Sequence, residues 1–312
     1  MTWLTAHENQ LHIVFEEAKE AVRQFPTPLD QLGLAYLAKF DASREGTTKN
    51  YICYLLPYWM EDISELRAET LNKLSLANIF VMLYYFIQDD IMDAAKGEHA
   101  SKLPLANLFH FQFLSIYREL FPSDSPFWSY YETYILEWAQ SVTNEQQSDY
   151  FHQDKLQIAK KASPVKNAST GALLLANQSH LIPAVTAAVE QTLVTLQMLD
   201  DWADWEEDLV DGSYNCLLSS IRNTLQLSTA DALTPELIKK QLYVHDMFAA
   251  YAGIADAHHE HLLSLAVGMG QLTAFHDSLV QNIHRVANEI KDRRAALLSG
   301  GFYYFLSNND KF

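Results

Sequence analysis

Carboxylates are the side chains of this chain whose types and spacing could do chemistry, and they gather in two places. The first is Gln88-Asp89-Asp90-Ile91-Met92-Asp93. On a helix Asp89 and Asp93 lie one turn apart on the same side, with Asp90 beside them. Like charges at that spacing repel, so a set directly after an apolar run calls for a compensating cation. The second is Asp200-Asp201-Trp202-Ala203-Asp204-Trp205-Glu206-Glu207-Asp208, with Asp211 beyond. Asp200, Asp204 and Asp208 follow at single-turn spacing and drift by roughly 40° per step, so all three can line one stripe flanked by Asp201. Trp202 and Trp205 lie off that stripe and read as packing. Seven acids stand between Asp200 and Asp211 with no basic residue among them, which is costly unless a cation binds or solvent screens them. Magnesium answers the need, because it takes a few carboxylates together with phosphate oxygens and retained waters. The expected metal ligands are therefore Asp89, Asp90, Asp93, Asp200, Asp204 and Asp208. A solvent-facing acidic helix end is the competing interpretation of either motif alone.

The elements that must position these acids read as helices throughout. Leu11, Val14, Phe15, Ala18, Ala21 and Val22 recur at helical spacing within 4–24, and Pro26 and Pro28 end that helix. Further helices are expected over 29–40, 51–60, 64–95 and 104–121. Ser125-Pro126 opens a long aromatic helix continuing past Tyr150. Pro183 opens or kinks a helix reaching about Leu209, and Gly212 breaks the chain before a short helix through Leu225. Thr234-Pro235-Glu236 starts a long helix toward Gly268, and 271–291 forms the last. Ile79 to Phe86 looks rich in strand formers, but the length of the surrounding pattern decides for a buried helix. No fixed-period repeat, Gly-rich phosphate loop or low-complexity linker interrupts the chain, so one all-α domain over 1–312 is expected. Each acidic motif ends or nearly ends a long apolar helix.

The pair of motifs, Asp-Asp-x-x-Asp at 89–93 and Leu-Gln-x-x-Asp-Asp-x-x-Asp at 196–204, resembles the trans-isoprenyl diphosphate synthase and class I terpene synthase superfamily. Glu207-Asp208 followed by Gly212 and Asn215 looks like the squalene and phytoene synthase group and its bacillus-type terpene synthase relatives. The Asn-x-x-x-Ser-x-x-x-Glu triad of many bacterial terpene cyclases is absent. The resemblance implies a single-domain isoprenoid synthase helical bundle with a central apolar cavity. It implies a class I terpene synthase in which magnesium on the two carboxylate patches, with Asp89, Asp93, Asp200 and Asp204 as catalytic ligands, ionises a linear prenyl diphosphate. The alternative is a prenyltransferase of the trans-isoprenyl diphosphate synthase or squalene and phytoene synthase type. Chain-elongating relatives carry an Arg-Arg pair after the first motif and an upstream Gly-Gly-Lys-Arg-type loop. Here those places hold Ala94-Ala95-Lys96 and Arg44-Glu45-Gly46-Thr47-Thr48-Lys49, and the loss of basic residues favours a one-substrate reaction. The resemblance leaves a homodimer open.

A diphosphate needs basic residues besides metal. Lys166, ahead of Thr170-Gly171-Ala172-Leu173, is the nearest match to the Lys before Thr-Gly-Ala-Leu in elongating relatives, with Lys160 and Lys161 as rivals. Arg285 and the cluster Lys291, Arg293 and Arg294 are the C-terminal candidates, although for the cluster positive charge near a helix end is also ordinary. Tyr84, Tyr85 and Phe86 lie about one turn before Asp89. Tyr85 is assigned a catalytic place, because aromatic faces stabilise a carbocation and resist attack by solvent; plain core packing is the alternative. Of His258, His259 and His261, only the first and last could share a ligand role, and zinc is disfavoured. His276 and His284 read as surface or interhelical contacts.

Charge and composition close off other classes. A formal charge of -17 disfavours nucleic acid as a partner. Cys53 and Cys216 sit singly in apolar runs, which fits a reducing, cytoplasmic location and offers no thiol cluster. The start of the chain lacks a basic region of the secretory type. The most apolar stretch, Leu76 to Ile87, is too short by itself to span a bilayer, so no transmembrane segment is expected.

Overall fold

The computed structural model describes residues 2–93, 102–145, 148–228 and 231–307, with backbone alone at 2, 93 and 297–307. Among the described residues every regular element is a helix. In chain order these are α1 (Thr2–Thr5), α2 (Glu8–Arg23), α3 (Leu29–Ala38), α4 (Tyr51–Trp59), α5 (Ala68–Asp93), α6 (Leu103–Leu120), α7 (Phe127–Asn144) and α8 (Tyr150–Gln153). There follow α9 (Leu156–Lys160), α10 (Lys166–Leu175), α11 (Ile182–Asp211), α12 (Cys216–Thr224), α13 (Pro235–Tyr243), α14 (Met247–Ser264) and α15 (Gly270–Ser307). The all-α expectation holds. The helices sort into two compact units. The first comprises Met1–Ala139, Ala162–Val189 and Val267–Ala274; the second comprises Gln140–Lys161, Glu190–Ala266 and Phe275–Phe312.

The first unit is built around α5, against which α2, α4, α6 and α10 all pack. Surrounded in this way, α5 buries more than one stripe, including Leu74, Ile79, Phe80, Leu83 and Ile87. This is why its sequence lacks amphipathic contrast. Asn78, an apparent blemish in the apolar run, has a local cause. Pro57 inside α4 has no N–H for the carbonyl of Cys53 four residues back. Asn78 Nδ2 donates to that oxygen at 3.0 Å, so the break in α4 is satisfied from α5. In α10, Gly171 permits close approach: a Cβ there would stand 3.0 Å from Phe121 Cζ and 3.3 Å from Leu74 Cδ2.

The second unit carries α12, α13, α14, most of α15 and the acidic end of α11. Its core includes Met198, Leu217, Ile221, Ile238, Phe248, Tyr251 and Ile283. Tyr251 donates through its hydroxyl to the Met198 carbonyl at 3.1 Å.

Two expected long helices are shorter. The aromatic helix ends at Asn144, and a separate turn begins at Tyr150, preceded by Asp149, whose carboxylate accepts from Tyr214 and Ser219. The helix from Thr234 breaks between Tyr243 and Met247, where Asp246 adopts φ +57°. An aspartate tolerates that left-handed geometry without a glycine, and Arg294 Nη2 holds its carboxylate at 3.1 Å. By length and composition, Ala68–Met92 and Ser179–Asp211 would each suffice to cross a membrane, longer than the apolar core alone suggested. In this structure 61% and 56% of an apolar 18-residue window within each is buried inside the protein.

Candidate functional site

The first acidic cluster closes α5. Asp90 is engaged: Lys102 Nζ lies 2.6 Å from its Oδ2, and Tyr36 donates to the same oxygen at 3.2 Å. The Lys102 ammonium also stands 5.8 Å from the centre of the Tyr36 ring. Burial, and then the negative charge of Asp90, push the Tyr36 hydroxyl well above the usual phenol range. Asp89 is exposed. Asp93 ends the helix and its side chain lies outside the described residues, as do Ala94, Ala95 and Lys96. Neither Tyr36 nor Lys102 stands in a recognisable motif, so both escaped the sequence.

In the second cluster the carboxylates divide by partner. Asp201 is buried at 3% exposure and fastens the start of α12: Cys216 N donates to its Oδ2 at 2.5 Å and Gln197 Nε2 to its Oδ1 at 2.7 Å. Asn215 caps α12 by accepting from Leu218 N at 3.0 Å. It also reaches back, its Nδ2 lying 2.7 Å from the Asp201 carbonyl and 2.7 Å from Asp208 Oδ2. Asp200 and Asp204 keep exposed surface. Even so, protein packed around the Asp200 carboxyl withdraws solvent, and Asp204, Asp201 and Asp208 add negative potential, so it is pushed up to about 6. Burial also raises Asp201 and Asp208, the latter against the bond from Asn215. Trp205 is buried and Trp202 packs edge-on against Phe248, 4.5 Å between ring centres, as expected for residues off the stripe.

Of the basic candidates, Lys161 is the one brought to this cluster. It lines a narrow cleft with Gln197, Asp201 and Tyr214, pairs with Glu145, and its charge opposes the rise at Asp200, Asp201 and Asp208. Lys166 belongs to the first unit, where it is fully buried, 2.7 Å from Glu137 Oε2 and 4.5 Å from the centre of the Tyr134 ring. Lys160 is half-buried on α9, Arg285 pairs with Glu289 at 2.6 Å on α15, and Arg293 is exposed on the same helix. Tyr85 is half-buried, its ring 4.8 Å from Trp138 and 4.9 Å from Tyr84.

His276 is wholly buried, so of its two expected placements the interhelical one holds. Thr195 Oγ1 stands 3.2 Å from His258 Nδ1 and 2.9 Å from His276 Nε2, and His276 Nδ1 stands 2.9 Å from His259 Nδ1. Burial drives His258 down to about 4 and His276 to about 3. His284 reaches Asp256 at 2.7 Å. Among the described residues, no group of three or more His, Cys, Asp or Glu side chains is arranged to hold a metal ion. The chain matches no model of a known protein family and no curated protein.

Proposed function

We propose that the chain is a class I terpene synthase that ionises a linear prenyl diphosphate with magnesium and releases diphosphate, giving a cyclic or linear terpene. The division of labour in the second cluster carries this proposal. Asp201 and Asp208 are spent on holding α12, while Asp200 and Asp204 stay on the exposed stripe, with Asp200 pushed up to about 6 by crowding. Carboxylate oxygens at which burial and like charge outweigh the relief from Lys161 suit a hard cation that completes its shell with water and phosphate oxygens. Asp200 and Asp204 would hold it on this stripe, and when bound it would neutralise charge on the departing diphosphate. Lys161 adds positive charge beside Asp200. The half-buried rings of Tyr84, Tyr85 and Trp138 offer π faces to a carbocation and limit the approach of water.

Lys49 supports a single substrate over condensation. Its ammonium is turned onto its own loop, 3.1 Å from the Asp41 carbonyl, 3.2 Å from the Ala42 carbonyl and 2.5 Å from Thr47 Oγ1. A lysine folded back in this way is committed to loop geometry. The test is incubation with magnesium and prenyl diphosphates of rising length, each with and without isopentenyl diphosphate. Hydrocarbon or alcohol product from a prenyl diphosphate alone is expected. Product that forms only with isopentenyl diphosphate would identify a prenyltransferase instead.

A further inference from the structure

A cavity in the second unit carries the opposite character to the acidic clusters. It opens broadly to solvent, offers about 360 Å³, and is lined by His152, Lys155, Gln191, Val194, His258 and His261, with smaller polar and apolar contributions. That size suits a small ligand. In a chain of formal charge -17, no carboxylate is among its lining residues.

The nitrogen-bearing groups are placed rather than scattered. Lys155 is half-buried, its ammonium 5.4 Å from the centre of the Phe151 ring, and burial lowers it from the ordinary lysine range. Among the described residues no ion pair offsets that burial, and an ammonium withdrawn from water gains most from a bound anion. His152 is oriented from behind: its Nδ1 lies 2.8 Å from Asp149 Oδ2 and 3.1 Å from Ser219 Oγ, which leaves Nε2 for the cavity. Burial alone would raise the Asp149 carboxyl, but hydrogen bonds from Ser219, Tyr214 and His152 outweigh it and hold the group below its ordinary range. His258 is fixed in the same manner, with Nδ1 directed to Thr195. With Nδ1 protonated against Asp149, a neutral His152 presents Nε2 as an acceptor, so a tetrahedral anion that still carries a proton fits best: its charged oxygens meet the Lys155 ammonium and its P–OH donates to an imidazole nitrogen. Val194 supplies apolar surface for a carbon portion.

We propose that this cavity binds a small phosphorylated molecule through Lys155, His152, His258 and His261, without a metal ion. The site shares no residue with the acidic clusters and stands whether or not the chain is a terpene synthase. Titration calorimetry with inorganic phosphate and inorganic diphosphate, in EDTA, tests it on the full chain and on the Lys155→Gln, His261→Gln and Asp204→Asn variants, with folding checked by circular dichroism. The wild type should bind one or both anions, and Lys155→Gln should weaken binding by at least about tenfold. His261 is exposed, so His261→Gln should fold normally and still bind more weakly. Asp204→Asn should leave binding unchanged. No metal-free binding by the wild type, undiminished binding in folded Lys155→Gln and His261→Gln, or loss of binding in Asp204→Asn would each overturn the proposal.

Discussion

The two acidic clusters share a motif and differ in how their carboxylates are used. In the first, one acid is neutralised by the lysine that precedes the next helix, Lys102 on Asp90. In the second, Lys161 stands near but pairs with Glu145; neutral donors from Gln197, Asn215 and the Cys216 amide hold Asp201 and Asp208, and the remaining charge concentrates on Asp200 and Asp204. Adjacent aspartates in one helical turn can thus differ, one fastened as an anchor and the other left on the exposed stripe. Their partners decide which, and spacing alone does not.

The sharpest way to break this comparison is turnover. Asp200→Asn, Asp204→Asn and Asp89→Ala should each fold and each lose at least about 100-fold in turnover with saturating magnesium, because each removes charge that the metal needs in the transition state. Asp208→Asn should lose less, since Asp208 is already occupied by Asn215. Near-full turnover in folded Asp200→Asn and Asp204→Asn would sink the magnesium role of the stripe.

Stability should separate the neighbours in the other direction. Asp201→Ala leaves the Cys216 amide and Gln197 without their acceptor in a buried place, and should cost about 2–4 kcal/mol in denaturant unfolding. Asp200→Ala should be neutral or stabilising. Equal destabilisation of the two variants would remove the distinction between anchor and ligand.

A smaller effect follows from titration. The Asp200 carboxyl is raised from 3.8 to about 6 in the fold, so the folded chain binds that proton more tightly than the unfolded chain. This group therefore disfavours folding above its folded pKa, and the penalty disappears as pH falls below its unfolded pKa. Without metal, the melting temperature of Asp200→Asn should exceed that of the wild type most at about pH 8 and converge with it near pH 4. A gap that does not change with pH would mean that the crowding at Asp200 is not felt.

Much of the fold was legible because long apolar helices announce themselves through length and proline punctuation; α2, α5, α11 and α12 lie close to where pattern placed them. The break before Met247 left no such mark, because an aspartate rather than a glycine takes the positive φ. In the site, the stripe of Asp200, Asp204 and Asp208 was visible from helical geometry. The tasks of Asp201 and Asp208 were not, since they depend on Asn215 and the Cys216 amide, which reach them only after the chain turns at Gly212. Lys166 illustrates the same limit: a sequence cannot distinguish a lysine awaiting an anion from one already buried against Glu137.

The fastening of α12 by Asp201 bears on how mutational scans of this chain would be interpreted. Asp201 sits inside the acidic motif, so an inactive variant there would ordinarily be scored as a lost metal ligand. With Asp201 bound to the first amide of α12, the same inactivity would come from a helix that has lost its mooring. Over evolutionary time the two aspartates of the Asp200-Asp201 pair would then be retained under separate pressures, the first for reactivity and the second for architecture. A descendant that abandoned catalysis would be expected to shed Asp200 long before Asp201.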